Sequence, residues 1–285
     1  MSLSQDSAAT ARPWSATLVS NERITAPESP EDVRRLRFTV ADAGFDGRIG
    51  QCLSVLAPGQ FGQRWHERLY SIADLEQSVD GRIRFELLVR RCHVVDAFNG
   101  ERYDGVASNL LCNLTVGGQI QFTGPVGHPF PIPEDSSAGL LMIGMGTGIA
   151  PFRGLVRRIY DELGGWQGPV RLFYGARSGL ELLYLNDEKA DLGLYYDRPT
   201  FQAFAAVSPR PHFDEPPAVD KLLIEHAAEV WSMLQDEGAH IYIAGPKMLL
   251  PQVDSALAQA AGSSERWTTL RARLAADDRW HEVLY

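Results

Sequence analysis

Hydrophobic positions change their period near residue 137. Between Trp14 and about Pro133 they fall in short runs, at 15–19, 35–40, 52–56, 82–89 and 119–123. These runs are rich in β-branched and aromatic residues and are separated by Gly, Pro or Asp. Many short strands with such turns predict an antiparallel barrel or sandwich. One helix is expected among them over 109–114, with Ser108 as its N-cap and Gly117 and Gly118 closing it. After Leu140 the pattern alternates. Apolar strands at 140–143, 170–174, 200–207 and 240–244 are interleaved with helical spacing over 152–163, 220–237, 247–261 and 265–275. Strand–helix alternation predicts a parallel sheet covered on both faces. The chain is therefore expected to be a two-domain β plus α/β protein. A polar tail at 1–12 is read as disordered, an antiparallel β-barrel domain spans 13–136, and a parallel-sheet α/β domain spans 137–285.

Candidate chemistry concentrates where the second pattern begins. The strand at 140–143 breaks into Gly144, Gly146 and Gly148, and Pro151 follows at an expected helix start, where its missing N–H costs nothing. Strand, glycine turn and helix can aim backbone N–H groups at a phosphate, although the same pattern also serves a plain tight turn. In a parallel sheet, ligands bind at the carboxyl ends of the strands. Gly144 to Gly148, Gly175 to Arg177, Ser208 and Gly245-Pro246 all fall at such ends, and together they predict a nucleotide site. In the first half, Arg68-Leu69-Tyr70-Ser71 reads as strand. Arg68 and Tyr70 would share one face, which suits a phosphate and a stacked ring or, equally, a solvated barrel surface.

Composition narrows the function classes. Across 285 residues the apolar share of 45% and charged share of 22% are ordinary for a globular protein, and the length favours two domains. The net charge of −9 argues against nucleic-acid or anionic-membrane partners. No apolar run reaches the ~18 residues of a membrane span. Cys52, Cys92 and Cys112 match no zinc or iron–sulfur spacing, so no metal is expected. Their odd number, with no export signal, is read as a reducing, cytoplasmic setting. The sequence ends RWHEVLY, and the aromatic last residue is expected to be docked rather than frayed.

Seven motifs in order carry a family resemblance: RLYSIAD (68–74), GVASNLLCNL (105–114), FTGPVGHPF (122–130), GTGIAPFRG (146–154), YGARSGLELLY (174–184), IYIAGPKML (241–249) and WHEVLY (280–285). In these the chain resembles the plant-type ferredoxin–NADP reductases. The resemblance implies an FAD-binding barrel followed by an NADP(H)-binding domain. It also implies hydride transfer between nicotinamide C4 and flavin N5, and one-electron exchange with ferredoxin or flavodoxin. Carried over, Arg68 would contact the FAD pyrophosphate, with Leu69 beside it, and Tyr70 would stack on the isoalloxazine. Ser71 would sit near flavin N5. Leu88, Val89 and Arg90 would line the flavin's other edge, while Gly105, Val106, Ala107 and Ser108 would present a helix N-terminus to the pyrophosphate. Thr147 and Gly148 would lie between flavin and dinucleotide. Ala176, Arg177, Gly245 and Pro246 would serve the dinucleotide, and Tyr285 would cover the second flavin face until nicotinamide displaces it. Ser71 and Tyr285 are thus the candidate catalytic residues.

The chain departs from the family pattern at several positions. Ala244 stands where the family has Cys, and Val283 where it has Glu, with Glu282 one place earlier. A one-residue shift in an extended segment points a side chain to the opposite face, so Glu282 replaces the carboxylate only if a bulge restores its direction. Ser208 and Arg210 resemble the family's pair for the 2′-phosphate, with Pro209 inserted. NADPH is favoured over NADH on that basis, with NAD(H) as the alternative. The aromatic that packs the FAD adenine is replaced by Val94, with His93, Phe98 and Tyr103 as candidates to take its place. Two other functions fit the same motifs: the reductase component of an oxygenase, and an FAD-binding regulatory module with poor turnover. A monomer is expected. Ferredoxin docking would need a local positive patch, for which Arg34, Arg35, Arg37, Arg64, Arg90, Arg91, Arg157 and Arg158 are the candidates.

Overall fold

The computed structural model describes residues 13–42, 44–77, 81–185, 191–210 and 215–285; the tail at 1–12 lies outside them. Its contacts group the chain into two compact units. Among the described residues, one holds 13–23 together with Glu31–His128, and the other holds Ile24–Pro30 and Pro129–Tyr285.

The first unit is a closed antiparallel barrel. Its strands are β1 (Trp14–Arg23), β2 (Val33–Val40), β3 (Cys52–Pro58), β4 (Trp65–Gln77), β5 (Ile83–Arg90) and β8 (Gln119–Val126), ordered β1-β2-β5-β4-β3-β8. Alternate side chains enter the interior, where Leu36, Leu53, Val55, Leu87 and Val89 surround a cluster of phenylalanines. Phe38 stacks on Phe85 at 5.3 Å, and Phe122 meets Phe45 edge-on at 5.6 Å. Each such fully buried side chain contributes roughly 1.5–3 kcal/mol. Between β5 and β8 the chain forms a separate two-stranded ribbon, β6 (His93–Val95) with β7 (Arg102–Asp104), and then helix α1 (Val106–Asn113). The ribbon is too short and too polar to stand out in the sequence pattern.

The second unit is a five-stranded parallel sheet: β9 (Leu140–Met145), β10 (Val170–Ala176), β11 (Phe201–Val207), β12 (His240–Gly245) and β13 (Trp280–Leu284), in the order β11-β10-β9-β12-β13. Every residue of β9 is buried, as the near-continuous apolar run of a strand covered on both faces requires. Helices α2 (Ala150–Arg157), α3 (Val219–Glu225), α4 (Ala227–Leu234), α5 (Leu249–Ala260) and α6 (Ser264–Ala276) complete the unit.

Three details of this unit differ from the sequence reading. The expected helix over 220–237 is two helices, because His226 leaves helical geometry (φ −105°, ψ 16°) and its ring packs at 4.0 Å from that of Phe204. The helix expected over 152–163 is α2 followed by a π-turn at Arg158–Glu162. The docked chain end is itself a strand, since β13 runs parallel to β12 and pairs Ile241 with Trp280 through Gly245 with Leu284.

Candidate functional site

In the first unit, β4 delivers the charged and aromatic pair. Arg68 lies opposite Val55 and Tyr70 opposite Leu53, so the two share a face, while Leu69 and Ser71 take the other. Tyr70 packs against the edge of the barrel core, and burial pushes its phenol well above the ordinary tyrosine value, keeping it protonated. Arg68 is exposed and donates to its neighbour's carbonyl, Glu67 O, at 2.8 Å. Leu88 and Val89 are buried on β5, and Arg90 at its end is exposed.

Helix α1 begins two residues before the residue expected to cap it. Its N-cap is Gly105, and Ser108 is the third helical residue. The reason is that the Ser108 hydroxyl is engaged elsewhere: it accepts from Cys92 N at 3.1 Å and donates to Gly105 O at 3.3 Å. A Cβ at 105 would come within 2.8 Å of that hydroxyl. The first intrahelical bond runs from Asn109 N to Gly105 O, which leaves the N–H groups of Val106, Ala107 and Ser108 ahead of the ladder. No side chain caps this start and no acidic residue stands in its first turn. By contrast α6 is capped by Ser263, which accepts from Arg266 N, and has Glu265 in its first turn. The start of α1 therefore suits an external anion. A network moors it: Asp32 accepts from Arg91 at 2.8 Å and from Arg34 at 3.0 Å, and Arg91 in turn donates to Asn109 and Asn113, each at 2.9 Å. Burial alone would raise the Asp32 pKa, but these hydrogen bonds and charges outweigh it and hold the carboxyl below its ordinary value.

The second unit gathers its candidates at the carboxyl edge of the sheet. β9 leads into a 3-10 turn, Gly146–Ile149, and then α2, which has Pro151 in its first turn. Gly146 has φ +57°, and its carbonyl accepts from the buried Tyr174 hydroxyl at 3.0 Å. Gly148 is sterically compelled, because a Cβ there would lie 2.0 Å from the Ala244 carbonyl oxygen. Beside this turn, Tyr285 is held by both backbone and side chain. Its N–H donates to Gly245 O at 3.1 Å, its carbonyl accepts from Lys247 N at 3.0 Å, and its hydroxyl lies 2.7 Å from Thr147 Oγ1. Gly245 has φ +152° and is followed by Pro246. Ala176 is buried at the end of β10, and the Arg177 carbonyl accepts from Ser208 N at 3.3 Å. Ser208 is buried and its hydroxyl accepts from Arg210 N at 3.2 Å, while the exposed Arg210 side chain pairs with Glu215 at 3.1 Å.

The departures at 244 and 283 turn out to be neighbours, since Ala244 and Val283 are register partners across β12 and β13. The register runs through without a bulge. Glu282 consequently stays on the face of Trp280, whose indole donates to it at 2.9 Å, and does not stand in for the family's carboxylate. Burial pushes the Cys52 and Cys112 thiols up to about 11 each, so both stay protonated near neutral pH. Most candidate docking arginines face carboxylates: Arg35 pairs with Glu22, Arg37 with Glu86, and Arg157 and Arg158 with Glu162.

Residues 16–130 match the family of oxidoreductase FAD-binding domains, and residues 142–254 match the oxidoreductase NAD-binding domains. Over 96% of its length the chain is 32% identical to the cyanelle ferredoxin–NADP reductase of Cyanophora paradoxa, covering 77% of that protein. It is 33% identical to the chloroplastic root isozyme of Oryza sativa subsp. japonica, covering 75%, and 31% identical to the Spirulina sp enzyme, covering 95%. The chain belongs to the ferredoxin–NADP reductase family. The ferredoxin–NADP+ reductase of Plasmodium falciparum shares the fold with a TM-score of 0.72 at 19% identity, over 96% of both chains. The protein is thus a flavoprotein oxidoreductase with an FAD-binding barrel and a nicotinamide-dinucleotide domain. The uncapped start of α1, with Arg68 and Tyr70 exposed or half-exposed in the same unit, fits a group bearing both a pyrophosphate and a flat ring.

Sequence reasoning missed two contributors. Tyr174 was visible within the YGAR motif but gave no sign that its hydroxyl holds the glycine turn. The Asp32–Arg91 mooring joins residues far apart in sequence, and no spacing rule could have paired them.

Proposed function

We propose that this reductase passes electrons between NADP(H) and ferredoxin or flavodoxin through FAD. The observation that carries the reading is that one chain holds two uncapped, glycine-led helix starts. One stands in a barrel that also presents Arg68 and Tyr70, and the other at the carboxyl edge of a parallel sheet. Arg68 and the backbone of Gly105 to Ser108 hold the pyrophosphate of FAD, and Tyr70 stacks on its ring. Leu69, Leu88, Val89 and Arg90 border the flavin, and Ser71 lies nearest its reacting nitrogen. In the second unit Thr147, Gly148, Ala176, Arg177, Gly245 and Pro246 receive the dinucleotide. Arg210, with Ser208 setting its backbone, faces the 2′-phosphate, and a guanidinium forks well onto such a group. Tyr285, tied to Thr147, occupies the place that nicotinamide takes and must leave it. FAD, when bound, accepts two electrons together and releases them singly, which is what links a hydride donor to a one-electron carrier. No helix among the described residues is long and apolar enough to cross a membrane. We place the enzyme in the cytoplasm as a monomer.

The test is cytochrome c reduction driven by NADPH, with and without added ferredoxin or flavodoxin. Carrier-dependent reduction that exceeds the NADH-driven rate is expected. Transfer to small dyes with none to either carrier would overturn the assignment of the carrier and favour a dedicated oxygenase partner.

A further inference from the structure

We propose that Tyr103, and not a residue at position 94, is the platform on which the adenine of FAD stacks; this rests on the reading of α1 as the pyrophosphate site. The ribbon of β6 and β7 pairs His93 with Asp104, Val94 with Tyr103, and Val95 with Arg102. Directly opposed residues in an antiparallel pair share a face, and adjacent pairs alternate. One face of the ribbon therefore carries His93, Asp104, Val95 and Arg102 and is closed by the Arg102–Asp104 ion pair at 3.3 Å. The other face carries Val94 and Tyr103, 67% and 53% exposed, with Glu101 at its loop end. An aliphatic side chain beside an aromatic one, both open to solvent, is a surface of the size and chemistry that a purine ring covers.

The ribbon's root fixes where that surface lies. Gly105 N donates to Cys92 O at 2.9 Å, Asn109 Nδ2 donates to the same carbonyl at 2.9 Å, and Ser108 Oγ accepts from Cys92 N. Both strands thus leave from the first turn of α1, and Tyr103 stands two residues from its N-cap. A dinucleotide whose pyrophosphate sits on that turn has its adenosine within reach of this face. The Tyr103 hydroxyl donates to the Glu101 carboxylate, which restrains the ring. Phe98 is fully exposed but lies in the loop beyond the last ladder pair, where its backbone N–H is held by Asp96. His93 is on the opposite face. A substitution at one strand of the ribbon has in effect been answered by its cross-strand partner.

The test measures flavin dissociation constants from the fluorescence released on diluting the holoenzyme, and repeats them on protein loaded with FMN by exchange dialysis. FMN has no adenine. Tyr103→Ala is expected to weaken FAD by roughly 10-fold, the loss of one base–aromatic stack, and to leave FMN within twofold. Tyr103→Phe keeps the ring and should retain FAD affinity, and Phe98→Ala and His93→Ala should stay within twofold of the parent. An unchanged FAD constant in Tyr103→Ala, or an equal loss for FMN, overturns the proposal. Arg68→Ala separates it from the reading beneath it: if Arg68→Ala leaves FAD affinity intact while Tyr103→Ala lowers it, the pyrophosphate assignment fails and the adenine platform stands.

Discussion

The two helix starts proposed to meet phosphate are built by different means. The start of α1 is held in place by side chains: Ser108 ties Cys92 to the first turn, Asn109 holds Cys92 and Gly105, and Arg91 links Asp32 to the helix. The turn before α2 is tied by the Tyr174 hydroxyl to the Gly146 carbonyl, but its shape depends on missing side chains. Gly146 takes a positive φ and Gly148 lets the turn press against the Ala244 carbonyl. A scaffold of hydrogen bonds loosens by degrees when one member is lost. A turn built on close approach fails at a single added methyl.

Gly148→Ala should therefore have the largest effect. Its Cβ would meet backbone on the neighbouring strand rather than a flexible side-chain tip, so the strain cannot be relieved locally. A loss of about 1–3 kcal/mol in unfolding free energy is expected, with NADP+ binding weakened more than tenfold in difference-spectrum titrations and FAD content unchanged. A variant with parental stability and parental NADP+ affinity would show that the close approach is not needed.

The mooring of α1 is best probed by pH. The folded-state pKa of Asp32 is held below its ordinary value of 3.8. The stabilisation it gives is present above that value and disappears as pH falls through the folded pKa. Chemical denaturation between pH 6 and about pH 3 should show the parent losing stability faster than Asp32→Asn, with flavin release following the parent's decline. Parallel curves for the two proteins would remove Asp32 from the account.

The smallest effect concerns coenzyme choice. Arg210 is exposed and its partner Glu215 is half-exposed, so the pair is worth little, about 0.2–1 kcal/mol. Removing the competing carboxylate with Glu215→Gln should lower the KM for NADPH by no more than about threefold and leave that for NADH unchanged. An equal change for both coenzymes would mean that Arg210 does not read the 2′-phosphate.

The periodicity carried most of the architecture. Alternation in β2 and the unbroken apolar run of β9 are direct consequences of a barrel wall and a sheet covered on both sides, and both were readable. The strand β13 was not, because WHEVL has neither strict alternation nor a turn signal and becomes a strand only by pairing with β12. Ser108 misled for a related reason. A serine ahead of an apolar run is a good cap in isolation, yet its hydroxyl is claimed by Cys92, which sequence separation hides. The glycine motif was legible as a turn, whereas the need for Gly148 depends on where the Ala244 carbonyl falls. The cross-strand exchange between Val94 and Tyr103 required the ribbon's register.

The most direct test of the whole account is anaerobic stopped-flow mixing of the FAD-loaded protein with NADPH and, separately, with NADH. Rapid bleaching of the flavin by NADPH, slower bleaching by NADH, and loss of the NADPH phase in Gly148→Ala are the expected results. A flavin that stays yellow with both coenzymes while FAD remains bound would contradict the central claim and leave a flavoprotein that binds without turning over.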